Sequence, residues 1–493
     1  MSILIENCSI LDESSPGGIR ENVNILVEGN RIARVDSSPL DKEHVDRTLS
    51  GKDLLAMPGL VNAHAHSPEN YLRGSTEKVP LELWLFDFFY SGVRFSPRET
   101  YLAALIGAAE MLKTGTTSVL DHFWVNGGMS MDDLDAVMEA YRDVGIRAAV
   151  APLVEDLRPE LEAAIKRDPE LSSASEGYDS ALDVPDYLDT LEAFFGKWHL
   201  SEDGRLRCLA GPSGPQWCSD EVLRGSAEIA GRFKSGLHMH ADETKVQALV
   251  CREIYGSSSI SHLYEEKLLG PQVSLAHCVW VDDRDIEILA ETGTTVVHNP
   301  SSNLKLGSGF APIPEMNEKG VSLAVGADGS ASSDNHVLFD IMKLTGLIHS
   351  AREVDHHRWL SARNVVRMAT TGGAKVFGLA GELGELKPDM LADIVLLRFD
   401  SSFFTPFNDA HRQLVYCETG SSVKTVIVDG RIVVEDGNLA TADHTSAMAE
   451  ARELWESKRR SIPGLDGHNL KIFQALERFQ AEQSTREFYI SRH

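Results

Sequence analysis

GLVNAHAH, at residues 59–66, is a short apolar run that is typical of a buried parallel strand, and it ends in two histidines. Seven further apolar runs follow, and helical patterns such as RETYLAALIGAAEMLKTG, residues 98–115, lie between several of them. The runs are GTTSVLDHF (115–123), IRAAVAPLV (146–154), LRCLAGPSGP (206–215), GLHMHAD (236–242), VSLAHC (273–278), TTVVHNP (294–300) and VSLAVGADG (321–329). Eight strands that alternate with helices predict an α/β fold, a (β/α)8 barrel of the TIM type. The rival, an open doubly wound sheet, would favour a glycine-rich phosphate turn after an early strand, and the sequence has none.

The two ends of the chain resemble each other and differ from the middle. Residues 2–36 alternate in the manner of short strands, and residues 387–400 and 423–439 repeat that style with Asp-Gly turns. We expect these segments to form one small, sandwich-like β-domain. The predicted domains are therefore residues 1–57 with 382–440 for the β-domain, 58–381 for the barrel and 441–493 for a C-terminal tail.

The tail has two helical patterns, AMAEARELWESKRR (447–460) and KIFQALERFQAEQ (471–483), joined by Pro463-Gly464. It is predicted to be a peripheral helical tail, or else to pack on a partner subunit. A polar insertion, residues 156–205, separates the third and fourth strands, and its SSASEG tract (172–177) predicts a loop.

Composition excludes several classes of function. The 493 residues carry a formal net charge of −27, which disfavours binding to nucleic acid or to anionic membranes. No stretch approaches the roughly 20 apolar residues of a membrane span, and the N-terminus lacks the basic region of a secretory signal. Six scattered cysteines without a CxxC pair predict reduced thiols. We therefore expect a cytoplasmic enzyme or a large scaffold.

Histidines collect at the predicted strand ends. Only 18 residues are histidine, and six of them lie there, together with one aspartate. They are His64, His66, His238, His240, His277, His298 and Asp328. Catalytic groups of such barrels lie at the carboxyl ends of the strands. Three imidazoles and a carboxylate suit a catalytic zinc or ferrous ion, with His238 expected to be a packed barrel histidine rather than a ligand.

Glu243 follows His240 by three residues. A glutamate just beyond the strand can reach over a metal-bound water and carry its proton. The alternative is an acidic residue that simply begins the next helix.

Five motifs in order resemble the amidohydrolase superfamily, and most closely its mononuclear branch of deaminases and s-triazine hydrolases. The branch includes S-adenosylhomocysteine, guanine and 8-oxoguanine deaminases. The motifs are PGLVNAHAH (58–66), HMHADET (238–244), SLAHC (274–278), VVHNPSSNLKLGSG (296–309) and GADGSASSDN (326–335). The resemblance extends over about residues 1–440.

The resemblance implies a ligand set of His64, His66, His240 and Asp328 for one divalent metal ion per subunit, Zn²⁺ or alternatively Fe²⁺. It implies further that His277 lies over the metal-bound hydroxide and that Glu243 is the proton shuttle, so that Glu243, His277 and Asp328 are the catalytic residues. Binuclear relatives carry a carboxylated lysine after strand four. Here that strand ends in Gly211-Pro212-Ser213-Gly214-Pro215, so one metal is expected.

The implied reaction is hydrolytic deamination of an amino-substituted nitrogen heterocycle, in which hydroxide adds to a ring carbon and ammonia leaves. The alternative is hydrolysis of a chloro, alkylamino, amide or urea group on a related small molecule by the same residues, because only the leaving group changes. A metal-free scaffold on the same fold is the remote alternative.

The substrate loops depart from the adenosine-type deaminases. Ser213 stands where that group has a histidine, which argues against adenosine substrates that carry ribose. Glu69 and Asn70 are placed to bind an amino, amidine or guanidine-like edge, although an acidic residue in a solvated turn is the plainer interpretation.

An aromatic stretch and two later segments complete the candidate substrate site. Trp84, Phe86, Phe88, Phe89 and Tyr90 are close in sequence, and most of them are expected to be core or interface. The remaining substrate-binding candidates are Gln216, Trp217 and His298, with Trp280 as a further pocket residue. The expected partners are a small-molecule substrate and further copies of the chain in a homo-oligomer.

Overall fold

The structure is a computed structural model of the chain. It describes residues 1–38, 45–90, 93–124, 129–168, 171, 182–462, 464–465 and 467–492, with only the backbone at 89 and 90. The tract predicted as a loop at 172–177, Pro463 of the predicted join, and the side chains of Phe89 and Tyr90 lie outside the described residues.

Strands occupy both ends of the chain and alternate with helices in the middle. In chain order they are β1 (Ser2–Leu11), β2 (Ile19–Glu28), β3 (Arg31–Asp36), β4 (Arg47–Ser50), β5 (Leu54–Pro58), β6 (Leu60–His66), β7 (Thr116–Phe123), β8 (Arg147–Val154), β9 (Leu206–Cys208), β10 (Gly211–Pro212), β11 (Leu237–Ala241), β12 (Val273–His277), β13 (Thr295–His298), β14 (Ser322–Val325), β15 (Asp328–Gly329), β16 (Ile394–Arg398), β17 (Val423–Val428), β18 (Arg431–Glu435) and β19 (Asn438–Leu439).

The helices cover the barrel strands and continue into the tail. They are α1 (Leu81–Tyr90), α2 (Pro97–Lys113), α3 (Met131–Val144), α4 (Pro159–Arg167), α5 (Val184–Trp198), α6 (Asp220–Arg232), α7 (Lys245–Tyr255), α8 (Ser259–Glu265), α9 (Asp283–Thr292), α10 (Pro300–Lys305), α11 (Ile313–Glu318), α12 (Leu338–Ile348), α13 (Ala362–Arg367), α14 (Gly373–Val376), α15 (Ala410–Tyr416), α16 (His444–Lys458) and α17 (Gly467–Thr485). Among the described residues, no helix is both long enough and apolar enough to cross a lipid bilayer.

The terminal strands form one sheet in the order β19-β18-β17-β16-β5-β1-β2-β3, with β4 paired to β1. Strand β5 joins the two ends of the chain, because it pairs in parallel with β1 and antiparallel with β16. The prediction of a small β-domain built from both termini is confirmed, while its boundaries at residues 57 and 382 stay a prediction.

The eight predicted apolar runs form a ring of parallel strands. Strands β6, β7 and β8 pair in order, both β9 and β10 pair with β8, and β11 to β14 pair in order. A bridge between Ala210 and Leu237 joins the two groups, and β15 pairs with β6 where Asp328 lies opposite Ala65. The (β/α)8 barrel is thereby confirmed, and the carboxyl ends of its strands meet on one face.

A buried ion cluster joins the barrel to the terminal sheet. The Arg147 guanidinium, at the start of β8, lies 2.9 Å from carboxylate oxygens of both Asp393 and Asp429. All three side chains are almost fully buried, so removing one partner would leave an uncompensated charge in the interior. The cluster therefore fixes the two units against each other.

The tail packs on its own barrel. Helix α17 contacts α1, α4 and α7, which follow the first, third and fifth barrel strands. Phe473 of α17 packs near Phe86 of α1, and Glu482 pairs with Arg167 of α4 at 3.0 Å. The tail thus lies over the face where the strand ends meet, and contact with a partner subunit stays a prediction.

Candidate active site

The four predicted metal ligands come together at the carboxyl ends of three barrel strands. His64 and His66 extend from β6, His240 from β11, and Asp328 begins β15. His66 Nε2 lies 3.4 Å from His240 Nε2 and 3.3 Å from Asp328 Oδ1, which is also 3.5 Å from His64 Nε2. All four side chains are buried.

The donor set fits a divalent metal ion. His66 Nδ1 and His240 Nδ1 hydrogen-bond to the carbonyl oxygens of His122 and Ser213, at 2.6 and 2.7 Å. A carbonyl only accepts, so Nδ1 carries the proton in each ring and Nε2 keeps its lone pair toward the cluster. Tetrahedral bonds of about 2.0–2.1 Å would separate donor atoms by roughly 3.3–3.4 Å, close to the spacing found.

His238 lies behind the cluster and orients His64. Its Nε2 is 2.7 Å from His64 Nδ1, and its Nδ1 is 2.7 Å from Ser274 Oγ. His64 Nε2 is buried, and within the described chain it has no hydrogen-bond partner. A ring held on one side with an unpartnered nitrogen on the other is the arrangement of a metal ligand.

Glu243 and His277 flank the cluster. Glu243 Oε1 lies 3.6 Å from His277 Nδ1 and accepts a hydrogen bond from Ser308 Oγ at 3.4 Å. Burial raises the pKa of the Glu243 carboxyl well above its usual range, which favours the protonated form that can donate. His277 Nδ1 is 2.9 Å from Asn303 Oδ1, and its Nε2 is 3.9 Å from Asp328 Oδ2.

Asn303 and Ser308 were not singled out from the sequence. Both belong to the NPSSNLKLGS motif after the seventh strand, and this motif contributed only to the family resemblance. Their signal was available as polar residues just beyond a barrel strand, but their partners, His277 and Glu243, are known only from the fold.

A cavity of about 560 Å³ opens beside the cluster. Its wall includes the carboxylates Glu69, Glu155, Glu243 and Asp328 and the aromatic side chains of Trp84, Phe88, Trp124 and Trp217. A flat ring would therefore lie between aromatic faces with carboxylates at its edge.

Glu69 is the predicted substrate residue with the most distinctive surroundings. Its side chain is buried, and its Oε2 accepts a hydrogen bond from the Ala331 N–H at 3.0 Å. A Cβ at position 329 would lie 1.8 Å from that oxygen, so Gly329 makes room for the carboxylate. Burial raises the pKa of Glu69 to about 7.

Three other predicted substrate residues do not line this cavity. Asn70 is held by hydrogen bonds to the carbonyls of Ser67 and Ala103, at 2.9 and 3.0 Å, so its amide is used within the fold. Gln216 is fully buried, and His298 packs against His349. Trp280 also faces elsewhere. The geometry gives these residues no direct contact with a ligand in the cavity.

The last residues of the chain clamp two loops of the active-site face. The Arg492 side chain donates to the carbonyls of Val279 and Val281, at 3.0 and 2.6 Å, just beyond β12. The Arg492 carbonyl accepts from the Phe310 N–H at 2.7 Å, beyond β13. The clamp holds together the segments that directly follow His277 and helix α10, which contains Asn303.

A chain of contacts also connects the tail to Glu243. Phe488 packs edge-on against Trp280 with ring centroids 5.6 Å apart. Trp280 Nε1 donates to the Ser308 carbonyl at 2.7 Å, and the Ser308 hydroxyl is the donor to Glu243. Trp280 is therefore a brace rather than the pocket wall predicted from sequence.

Comparisons with known proteins agree with this geometry. A model described as "Amidohydrolase family" matches residues 55–433. The chain is 33% identical over 455 residues to a 5'-deoxyadenosine deaminase of Methanosarcina mazei, covering 92% of this chain and 98% of that protein. A zinc-complexed atrazine chlorohydrolase from Arthrobacter aurescens superposes with a TM-score of 0.83 at 27% identity, covering 92% of this chain and all of that one. A zinc-bound adenosine deaminase from Xanthomonas campestris gives a TM-score of 0.81 at 25% identity, covering 93% and 98%.

Removing a ligand should release the metal. We expect His240→Ala and Asp328→Ala each to lower the metal content at least about tenfold, since even indirect support of a ligand is worth that much. Metal per chain, measured by atomic emission after gel filtration, checks this. His298→Ala, which removes a buried imidazole outside the cluster, is the matched control. A full metal complement in both ligand variants would contradict the assignment.

Deleting residues 486–493 should weaken catalysis without removing the metal. Loss of the clamp lets Glu243 and His277 shift, so we expect kcat to fall about 10- to 100-fold. Phe488→Ala should reproduce part of the loss and Phe488→Tyr should restore it, with metal content and circular dichroism unchanged throughout. A truncated enzyme with the original kcat would show that the tail does not position these groups.

Proposed function

We propose, from the premise that this chain belongs to the amidohydrolase family, that it is an aminohydrolase of a small nitrogen heterocycle. The proposed reaction replaces a ring amino group by oxygen and releases ammonia. One observation carries the proposal: four buried ligands converge at donor spacings of 3.3–3.5 Å beside a buried carboxyl, Glu243. The resemblance stated from the five sequence motifs is confirmed, and the chain is an enzyme of the carbon–nitrogen hydrolase type.

We assign the metal site to His64, His66, His240 and Asp328. A divalent ion held there would lower the pKa of water to roughly 7 and so would supply hydroxide at neutral pH. One ion per chain is proposed, because strand four ends in Gly211-Pro212 rather than in a lysine. Zinc is the proposed metal, supported by the zinc in the two solved structures, and Fe²⁺ is the alternative for the same donors.

The chain's own side chains move the protons. Asp328, whose Oδ2 lies 3.9 Å from His277 Nε2, accepts the proton of the attacking water and passes it to the amino group, which leaves as ammonia. Glu243 donates to a ring nitrogen, which makes the neighbouring carbon a better electrophile. His277, fixed through Nδ1 by Asn303, directs Nε2 to the same side and, when protonated, stabilises negative charge on the added oxygen.

A different leaving group is the second candidate. The same residues would serve hydrolysis of a chloro, alkylamino, amide or urea group. The likeness to an atrazine chlorohydrolase favours this alternative specifically. The retained ligands and Glu243 favour either hydrolase over a metal-free scaffold.

Substrate recognition is assigned to the cavity wall. Glu69 would accept hydrogen bonds from an amino or amidine edge, while Trp84 and Trp217 would stack on the ring. Ser213 lines the cavity where adenosine-type deaminases have histidine, so we propose a substrate without ribose. Asn70, Gln216 and His298 remain candidates from the sequence, in supporting positions.

We also propose a cytoplasmic homo-oligomer that does not bind nucleic acid. The six cysteines are unpaired, which is typical of a reducing compartment, and the chain is strongly acidic. Three exposed apolar side chains lie close together in sequence, Leu347 (48% exposed), Val354 (96%) and Trp359 (43%), and they support a contact between copies.

Ammonia release tests the function. The metal-loaded protein is incubated with pterins, purines including 5'-deoxyadenosine, pyrimidines, s-triazines and guanidino compounds, and ammonia, chloride and alkylamines are measured together. We expect ammonia from one ring class. Chloride or alkylamine alone would favour the second candidate, and ammonia from 5'-deoxyadenosine would contradict the argument from Ser213.

Glu243→Gln should keep the metal and lose turnover. Glutamine preserves the shape but cannot shuttle a proton, so we expect kcat to fall by about 10²- to 10⁴-fold. Glu77→Gln, at an exposed position, makes the same change away from the cluster and should leave kcat unaltered. Full activity of Glu243→Gln would remove Glu243 from the mechanism.

A further inference from the structure

A second chamber lies beside the metal cavity and has glutamates in its wall. It has a volume of about 510 Å³ and shares Leu85, Glu155 and Trp217 with the metal cavity. Its wall adds the carboxylates of Glu82 and Glu160. A substrate whose ring lies at the metal could therefore extend an arm into this outer chamber.

Glu160 lines this chamber and has one unsatisfied carboxylate oxygen. Its side chain is 7% exposed, and Trp217 Nε1 donates to Oε2 at 3.0 Å. The other oxygen, Oε1, is buried, and in the part of the chain that the structure describes it has no hydrogen-bond partner. A buried carboxylate oxygen left in this state costs free energy unless a ligand satisfies it.

The charges of the outer chamber are unbalanced. Arg158 lies in the same wall, and it pairs with Glu155 at 3.2 Å. Glu82 accepts a hydrogen bond from the neutral Thr244 hydroxyl. Burial, assisted by Glu82 and Glu155, raises the pKa of Glu160 to about 7, and among the described residues no cation lowers it again.

We propose that the outer chamber is a subsite for a cationic arm of the substrate, an ammonium or amidinium-type group bound by Glu160 Oε1 beside the Trp217 ring. A cation donates a hydrogen bond to the unpartnered oxygen and also offsets the excess negative charge. A neutral hydroxyl would donate the hydrogen bond but leave the charge uncompensated. The indole face of Trp217 adds a cation–π contribution. The substrate is thus a flat nitrogen heterocycle with a positively charged substituent.

The inference rests on the proposed function only in naming the ligand as the substrate, so its test uses binding rather than turnover. Titration calorimetry on the metal-loaded protein compares three probes of similar shape: benzamidinium, neutral benzamide and anionic benzenesulfonate. We expect benzamidinium to bind at least about tenfold more tightly than benzamide, as expected of a hydrogen bond to a charged group, and benzenesulfonate to bind most weakly.

Variants locate the effect. Glu160→Gln should reduce the preference for benzamidinium to about twofold or less, because the remaining hydrogen bond is neutral, while Glu160→Asp should keep it. Glu477→Gln removes an exposed charge from α17, beside Leu476 of the chamber wall, and should leave the preference intact. Thermal unfolding of each variant confirms that it is folded.

Equal binding of benzamidinium and benzamide would overturn the subsite, as would a preference that survives in Glu160→Gln. Ammonia release from a heterocycle together with either result would leave the proposed function standing and remove only the subsite. A Glu160-dependent preference with no ammonia release from any compound would support the subsite and contradict the proposed aminohydrolase function.

Discussion

The structure depends on keeping the four side chains of the proposed metal site buried around one point. Folding removes the side chains of His64, His66, His240 and Asp328 from water. Each buried polar atom without a partner lowers the free energy of unfolding by about 1–3 kcal/mol. The barrel reduces that cost by holding the far side of each ring: His238 orients His64, and backbone carbonyls hold His66 and His240. A divalent cation satisfies the near sides together. The positions of the ligands thus depend on the strand ends that carry them, and the hydrogen bonds between the barrel strands fix where those ends lie.

Both termini pack on the barrel: the terminal strands form a sheet joined to it, and the last residues lie over its catalytic face. The N-terminal and C-terminal strands share one sheet, and Arg147 joins that sheet to the barrel through two buried carboxylates. The last residues then cross the opposite face, where Arg492 holds the loops beyond the sixth and seventh strands. The catalytic face is therefore bounded by segments that are far apart in sequence.

Much of the site could be predicted from the sequence, because a parallel barrel places successive strand ends on one face. The ligands, Glu243 and His277 follow from that rule and from the motifs. The residues that surround the ligands could not be predicted in the same way. Asn70 and Glu69 are adjacent in the chain, yet one is bonded within the fold and the other lines the cavity. Neighbouring residues of a turn direct their side chains to different sides, and only the tertiary structure shows which side chain faces the cavity.

The sequence by itself determined the alternation of strands and helices, the identities of the ligand candidates and the absence of the lysine after strand four. These are local properties, set by apolar periodicity and by residue type at strand ends. The tertiary structure decided which polar groups meet, because contacts such as Trp217 with Glu160, or Phe488 with Trp280, join segments separated by 57 and about 200 residues. It alone decided that the tail braces the active-site face and that a chamber with glutamates in its wall lies beside the cavity, since both follow from packing between distant segments rather than from any local pattern.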